Sequence, residues 1–317
     1  MTQTAAPTAR YIEPKALMRI RSLELRVKAV MEGFVTGLHR SPFHGFSVEF
    51  TEYRQFSNGD DPRFLDWKVV ARSDRYYIKR FEDETNLRCH LLVDNSRSMS
   101  YGSGTFAKAD YAKTLAACLA YSLSQQRDAV GLVLFDEKVE DQLPARFRHG
   151  HLRQILVALE RATGGQSTNL VEPLERVASQ VRKRGLVVLI SDLLAPTTGL
   201  ERALTALSSC GHELVVFQTL DPRELDFGFE SAALFVDQES GRELYVDPAT
   251  SRDHYKRRLD AHLSELRTIC EKLGAIYHLV PTDMPLEILL GEFFTESQRL
   301  KSRGRQSRRS TGGARST

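Results

Sequence analysis

Three oxygen-bearing side chains stand at alternate positions behind an apolar run. Asp94, Ser96 and Ser98 follow the run Leu91 to Val93. Such a run predicts a buried strand of a parallel sheet, and strands of open α/β sheets present binding groups at their carboxyl ends. One carboxylate with two neutral hydroxyls is a hard-oxygen donor set, which suits Mg²⁺ or Mn²⁺ better than zinc. The sequence therefore predicts a divalent-metal site at the end of this strand.

Two later positions carry the same chemistry. Thr168 lies in the polar, glycine-rich segment 164–169, and Asp192 directly follows a second apolar run at 186–191. The combined set resembles the metal-ion-dependent adhesion site of the von Willebrand factor A domain, in which Asp-x-Ser-x-Ser joins a distant Thr and a distant Asp. The resemblance implies that Mg²⁺ or Mn²⁺ is held by Asp94, Ser96, Ser98, Thr168 and Asp192.

The same resemblance implies a mechanism. Mg²⁺ takes six oxygen ligands and usually keeps several waters, so one position can remain open for an incoming group. In the von Willebrand A domain that group is an Asp or Glu carboxylate of a partner protein. We therefore expect a metal-dependent protein–protein interaction module. Without metal, Asp94 and Asp192 should lie close together and repel each other.

Other interpretations of these residues stay open. The serines could merely cap the next helix while Asp94 accepts a hydrogen bond within a turn. Asp94 and Asp192 could also serve a metal-dependent phosphoesterase. However, the sequence contains no Gly-x-Ser-x-Gly motif, and Gly102-Ser103-Gly104 with Lys108 is only a faint similarity to a phosphate-binding loop. We expect no enzymatic activity.

A second signature lies nearer the N-terminus. It comprises Glu49-Phe50, Glu52, Arg54, Phe56, Gly59-Asp60-Asp61-Pro62-Arg63, Asp66-Trp67 and Ala71-Arg72. This series resembles the bacterial family called domain of unknown function 58, whose members place it ahead of a von Willebrand A-like domain. The resemblance extends from about Gly37 to Phe294. It implies a partner of the MoxR-type AAA+ ATPase class, in chaperone-like assembly or metal insertion.

The charged side chains of this segment are candidates for partner binding. Arginine forks pair bidentately with carboxylates, and tryptophan is enriched at the centres of interfaces. On this basis the candidate partner-binding residues are Arg54, Arg63, Trp67 and Arg72. The alternative is a structural network of ion pairs, with the tryptophan in the core.

The order of elements predicts the fold class. From Arg88 onwards apolar runs alternate with amphipathic segments, which predicts an α/β, doubly wound, largely parallel sheet, von Willebrand A-like and Rossmann-like, with helices on both faces. Spacings of three and four predict an amphipathic helix at 14–36, and its apolar face needs either the main domain or another protein.

These patterns divide the chain into three parts. Residues 1–86 are expected to form the N-terminal helix and a small β-rich module. Residues 87–298 form the main domain, with a hairpin insert at 221–250. Residues 299–317 form a disordered basic tail.

Composition limits the function classes. The 317 residues carry a net charge of +3, but the tail from Arg299 has seven Lys/Arg and no acid, so residues 1–298 stand at +3 − 7 = −4. A mildly acidic body makes nucleic acid an improbable partner. The sequence shows neither a membrane-spanning apolar run nor a secretory signal, and the four cysteines are scattered. We expect a cytoplasmic protein without a membrane span.

Overall fold

The computed structural model describes residues 11–38, 53–55, 77–79, 87–136, 138–161, 170–181, 183–229, 231–236 and 243–295. The chain forms two compact units, one of residues 38–86 and one of Met1–Gly37 with Leu87–Thr317. In the smaller unit, strands β1 (Tyr53–Gln55) and β2 (Tyr77–Lys79) pair antiparallel. The tail at 299–317 lies outside the described residues.

The larger unit alternates strands and helices along the chain. Its first half contains α1 (Pro14–Leu17), α2 (Leu23–Leu38), β3 (Arg88–Asp94), a 3-10 turn (Arg97–Ser100), α3 (Lys108–Gln125), β4 (Ala129–Phe135), β5 (Val139–Arg146), α4 (His151–Leu159) and α5 (Val171–Gln180). Its second half contains β6 (Leu186–Ser191), α6 (Thr197–Ser209), β7 (Glu213–Leu220), α7 (Pro222–Asp226), β8 (Ala233–Val236), β9 (Glu243–Val246), α8 (Pro248–Lys272), β10 (Ile276–Pro281) and α9 (286–295).

Six strands build the central sheet in the order β10-β7-β6-β3-β4-β5. All neighbours are parallel except β4 and β5, which are antiparallel. Every residue of β4 and β6 is buried, because helices cover both faces of a parallel sheet. β5 alternates between half-buried and exposed residues, as a strand at the sheet edge does. The prediction of an α/β, doubly wound, mostly parallel sheet is confirmed.

The sheet grows outwards from β3 in both directions. The chain places β4 on one side of β3 and β6 on the other. In open α/β sheets, ligands bind outside the carboxyl ends of the strands at such a switch point. β3 ends at Asp94 and β6 ends at Ser191, immediately before Asp192. The topology therefore brings these two carboxylates to one edge of the sheet.

Helix α2 is covered by the rest of the larger unit. Its buried residues follow spacings of three and four and are Leu23, Val27, Val30 and Phe34. The ring of Phe34 lies 5.8 Å from that of Phe294, and Arg26 Nη1 donates a hydrogen bond of 2.9 Å to Thr114 Oγ1 on α3. The main domain, rather than another protein, is thus the surface that this amphipathic helix needs.

The segment 221–250, for which a hairpin was predicted, contains strands β8 and β9. β8 and β9 pair antiparallel, with Leu234 opposite Tyr245. Phe235 of β8 packs edge-on against Phe229, with 4.8 Å between ring centroids, and stacks on Phe227 at 6.1 Å. Aromatic contacts of this kind attach the hairpin to the end of α7.

The described residues contain no helix that is both long enough and apolar enough to cross a bilayer. All four cysteines are free thiols, and three of them, Cys89, Cys118 and Cys270, are buried.

A candidate metal site at the sheet edge

Asp94 closes β3 and is fixed through both carboxylate oxygens. Its Oδ1 accepts a hydrogen bond of 2.8 Å from the backbone N–H of Ser96. Its Oδ2 accepts one of 2.5 Å from the hydroxyl of Ser191, the last residue of β6. The side chain is fully buried. Asp94 is therefore held rigidly between the two central strands.

The hydroxyls of Ser96 and Ser98 converge on one point. Their Oγ atoms lie 3.1 Å apart, because Ser96 has extended backbone just before the 3-10 turn. Ser96 is buried whereas Ser98 is partly exposed, so solvent reaches the pair at Ser98. Ser96 makes no capping hydrogen bond with its side chain. The hydroxyl of Ser96 is thus not engaged in capping the turn that follows.

Asp192 comes to the same edge from β6 and is also fully buried. Its Oδ2 accepts a hydrogen bond of 2.8 Å from Lys108 Nζ, and its Oδ1 accepts one of 3.3 Å from the N–H of Leu194. Its backbone carbonyl accepts a 2.7 Å hydrogen bond from the amide of Gln218, whose Oε1 in turn accepts one of 2.6 Å from the hydroxyl of Tyr277. Three strands thus fix the position of Asp192.

A sharp reversal of the backbone follows Asp192. Leu193 has φ +52°, a left-handed conformation that costs free energy in a non-glycine residue and persists only where its surroundings hold it. Its N–H donates to Ser191 Oγ at 3.0 Å, and its carbonyl accepts from His262 Nε2 at 2.9 Å. Ser191 therefore serves both Asp94 and the turn after Asp192, a role that the sequence did not reveal.

Lys108 supplies a positive charge that the sequence analysis did not place in this site. Its side chain is 1% exposed, and its ammonium lies 2.8 Å from Asp192 Oδ2 and 2.7 Å from Glu224 Oε1 of α7. Burial alone would lower the pKa of Lys108, but the carboxylates of Asp192 and Glu224 outweigh it and raise this pKa. Burial raises the pKa of Glu224 more than Lys108 lowers it. Lys108 therefore remains charged.

The electrostatics of Asp94 differ from those of Asp192. Burial first, and then the carboxylate of Asp192, raise the pKa of Asp94 to about 7, although hydrogen bonds from Ser191 and Ser96 offset part of this rise. Within the described part of the chain, no lysine or arginine forms an ion pair with Asp94. A buried carboxylate of this kind gains from a nearby cation.

These residues fit a bound Mg²⁺ or Mn²⁺. Two neutral hydroxyls converge beside a buried carboxylate that has no ionic partner among the described residues, and these ions prefer oxygen donors. The described residues contain no group of three or more His, Cys, Asp or Glu placed to hold a metal. A bound ion would be held by the hydroxyls of Ser96 and Ser98, and Asp94 and Asp192 would add negative charge to the site.

Several residues singled out in the sequence cannot be placed against this site. Thr168, Arg63, Trp67 and Arg72 lie outside the described residues. Arg54 lies in β1, of which only the backbone is described.

Comparison with known proteins identifies the family of the chain. The profile described as "Protein of unknown function DUF58" matches residues 52–265. The "Uncharacterized protein Rv1480" of Mycobacterium tuberculosis is 30% identical over 276 residues, which cover 86% of each chain. The "Uncharacterized protein MAV169" of Mycobacterium avium is 28% identical over 170 residues, covering 52% of this chain and 99% of the relative.

Two solved structures are similar at low identity. BatB from Bacteroides thetaiotaomicron gives a TM-score of 0.47 at 14% identity, covering 67% of this chain and 99% of that one. The VWA domain of SpRpn10 gives 0.39 at 11% identity, covering 65% and 95%. The match to the family profile and the similarity to the mycobacterial relatives show that the chain belongs to the DUF58 family.

Proposed function

We propose that this protein is a divalent-metal-dependent protein-interaction module. In this proposal Mg²⁺ or Mn²⁺ is bound at the edge of the sheet and receives an Asp or Glu carboxylate from a partner protein. The observation that carries it is the pair of Ser96 and Ser98 hydroxyls, 3.1 Å apart, beside the buried Asp94 carboxylate. This arrangement lies at the switch point of the sheet, where such folds bind their ligands.

The chemistry of the donors favours capture of an anion. When bound, the metal supplies a Lewis-acidic position that can accept a carboxylate. Ser96 and Ser98 are neutral donors, so they leave the charge of the ion largely uncancelled. Asp94 is held back by the N–H of Ser96 and the hydroxyl of Ser191, and Asp192 by Lys108. A partner's carboxylate then meets a net attraction beside the partly exposed Ser98.

The partner class comes from the family resemblance. We propose a MoxR-type AAA+ ATPase, working with this protein in chaperone-like assembly or metal insertion. The acceptor would be an Asp or Glu at the surface of that partner. Thr168 remains a proposed metal ligand, and Arg54, Arg63, Trp67 and Arg72 remain proposed contacts of the partner.

Capture of a MoxR-type ATPase on the immobilised protein tests this function. The wild type should retain the ATPase in Mg²⁺ and release it in EDTA, and Asp94→Ala should lose nearly all Mg²⁺-dependent capture because the site then lacks its central carboxylate. Asp253→Ala, an exposed aspartate on α8, is the matched control and should capture as the wild type does. Capture that is equal with Mg²⁺ and EDTA, or unaffected by Asp94→Ala, contradicts the proposal.

A further inference from the structure

A lysine is part of the charge balance of the proposed metal site. The Lys108 ammonium is buried and lies 2.8 Å from Asp192 Oδ2. The other oxygen of that carboxylate already accepts the Leu194 N–H. Both oxygens of Asp192 are therefore in use, and any cation that draws on Asp192 must share it with Lys108.

The second anchor of Lys108 is equally well fixed. Glu224 accepts the Lys108 ammonium at Oε1 over 2.7 Å and the N–H of Asp221 at Oε2 over 2.8 Å. Its backbone carbonyl accepts a 2.9 Å hydrogen bond from the hydroxyl of Tyr255. Asp221 also accepts a 2.9 Å hydrogen bond from the N–H of Ser103. The ammonium thus sits between two immobile carboxylates.

Two cations that use one carboxylate oppose each other. Each lowers the negative potential that attracts the other, and the effect is strong where water is excluded. When the ammonium of Lys108 is also held by Glu224, it offsets less of the negative potential that Asp192 offers to a metal. When Asp192 is its only partner, it offsets more of that potential. Two ligands that share a group in this way have a reciprocal coupling.

Resting on the proposed metal-dependent function, we propose that Lys108 is a built-in competitor for Asp192 that sets the affinity of the site for divalent metal. Glu224 moderates the competition by holding the ammonium from the opposite side. The affinity of the site therefore depends on α7, which leads to the hairpin of β8 and β9. The lysine keeps metal binding weaker than the same oxygen donors alone would give.

Titration of the protein with Mn²⁺, followed by the electron paramagnetic resonance signal of free Mn²⁺, tests this role. Lys108→Met should bind Mn²⁺ on the order of tenfold more tightly, and Glu224→Gln a few-fold more weakly, within the usual range of coupling between two sites. Lys113→Met is the matched control, because Lys113 is buried on the same helix but donates to the carbonyl of Arg161. The affinity of this variant for Mn²⁺ should equal that of the wild type.

A double variant separates the contact from simple net charge. Lys108→Met/Glu224→Gln has the same net charge as the wild type, so binding tighter than the wild type assigns the effect to the contact of Lys108 with Asp192. It also leaves one fewer buried carboxylate unpaired, so it carries the test if Lys108→Met alone does not fold.

The outcomes distinguish two failures. A wild type that binds no Mn²⁺ contradicts the proposed function, and this inference falls with it. In the second failure the wild type binds Mn²⁺ while Lys108→Met or the double variant binds it equally or more weakly. That result overturns the proposed role of Lys108 and leaves the metal-dependent function standing.

Discussion

Replacing Asp94 with Asn should make the metal-free protein more stable at pH 8 and abolish its response to Mg²⁺ or Mn²⁺. The pKa of this buried carboxyl is raised from 3.8 to about 7, so the folded state carries a penalty when the group is ionised. At about 1.4 kcal/mol per pKa unit, the gain is up to ~4 kcal/mol. The Asn side chain can still accept from the Ser96 N–H and donate to the Ser191 hydroxyl, so the local geometry is kept.

Urea unfolding in EDTA and in excess Mn²⁺ measures both effects. The wild type should gain stability from Mn²⁺, whereas Asp94→Asn should show one unfolding curve in both conditions. Asp192→Asn should change stability in the opposite direction and serves as a control. It removes a charged partner from the buried Lys108 ammonium and should destabilise the protein by about 3 kcal/mol. An Asp94→Asn protein that is less stable than the wild type in EDTA, or that still responds to Mn²⁺, would contradict this account.

Stability and metal affinity should depend on pH in opposite directions. Because the pKa of Asp94 is higher in the folded than in the unfolded chain, its penalty is absent below about pH 4, grows as the pH rises and is complete above about pH 7. The metal-free protein should therefore lose stability through this window. Mn²⁺ competes with the proton, so its affinity should fall about tenfold for each pH unit below 7 and stay level above it.

Asp94→Asn serves as the reference for the pH dependence of stability and for the pH dependence of Mn²⁺ affinity. Unfolding in EDTA and Mn²⁺ titration, each from pH 5 to 8, should show that the variant lacks the Asp94 part of the stability change. A wild type whose Mn²⁺ affinity is the same at pH 5.5 and pH 7.5 would show that no proton leaves Asp94 when the metal binds.

The strands of the sheet, and the polar residues that end two of them, could be predicted from the sequence for physical reasons. Apolar runs such as Leu186 to Ile190 are typical of buried strands in a covered sheet, and the polar residues that end them then lie at its edge. From the sequence alone, Asp94 and Asp192 could thus be expected at the same edge of the sheet. The spacing of apolar residues predicted a single helix at 14–36, whereas the structure divides this segment into α1 and α2. The spacing also did not identify the surface that covers α2.

The rest of the site depends on contacts between distant parts of the chain. Lys108 pairs with Asp192 across 84 positions and with Glu224 across 116, and no local pattern encodes such pairs. The available signal was a lysine at the start of a helix whose sequence is otherwise largely apolar. Beside Gly102-Ser103-Gly104, this lysine is instead similar to part of a phosphate-binding loop. Ser191 was similarly hidden, because a serine that ends an apolar strand looks like an ordinary turn residue.

Anomalous X-ray scattering from crystals grown in Mn²⁺ tests whether this edge of the sheet binds the metal. We expect a Mn²⁺ peak at coordinating distance from the hydroxyls of Ser96 and Ser98, beside Asp94. A peak elsewhere in the protein, or none at a concentration that saturates binding in solution, would contradict this expectation.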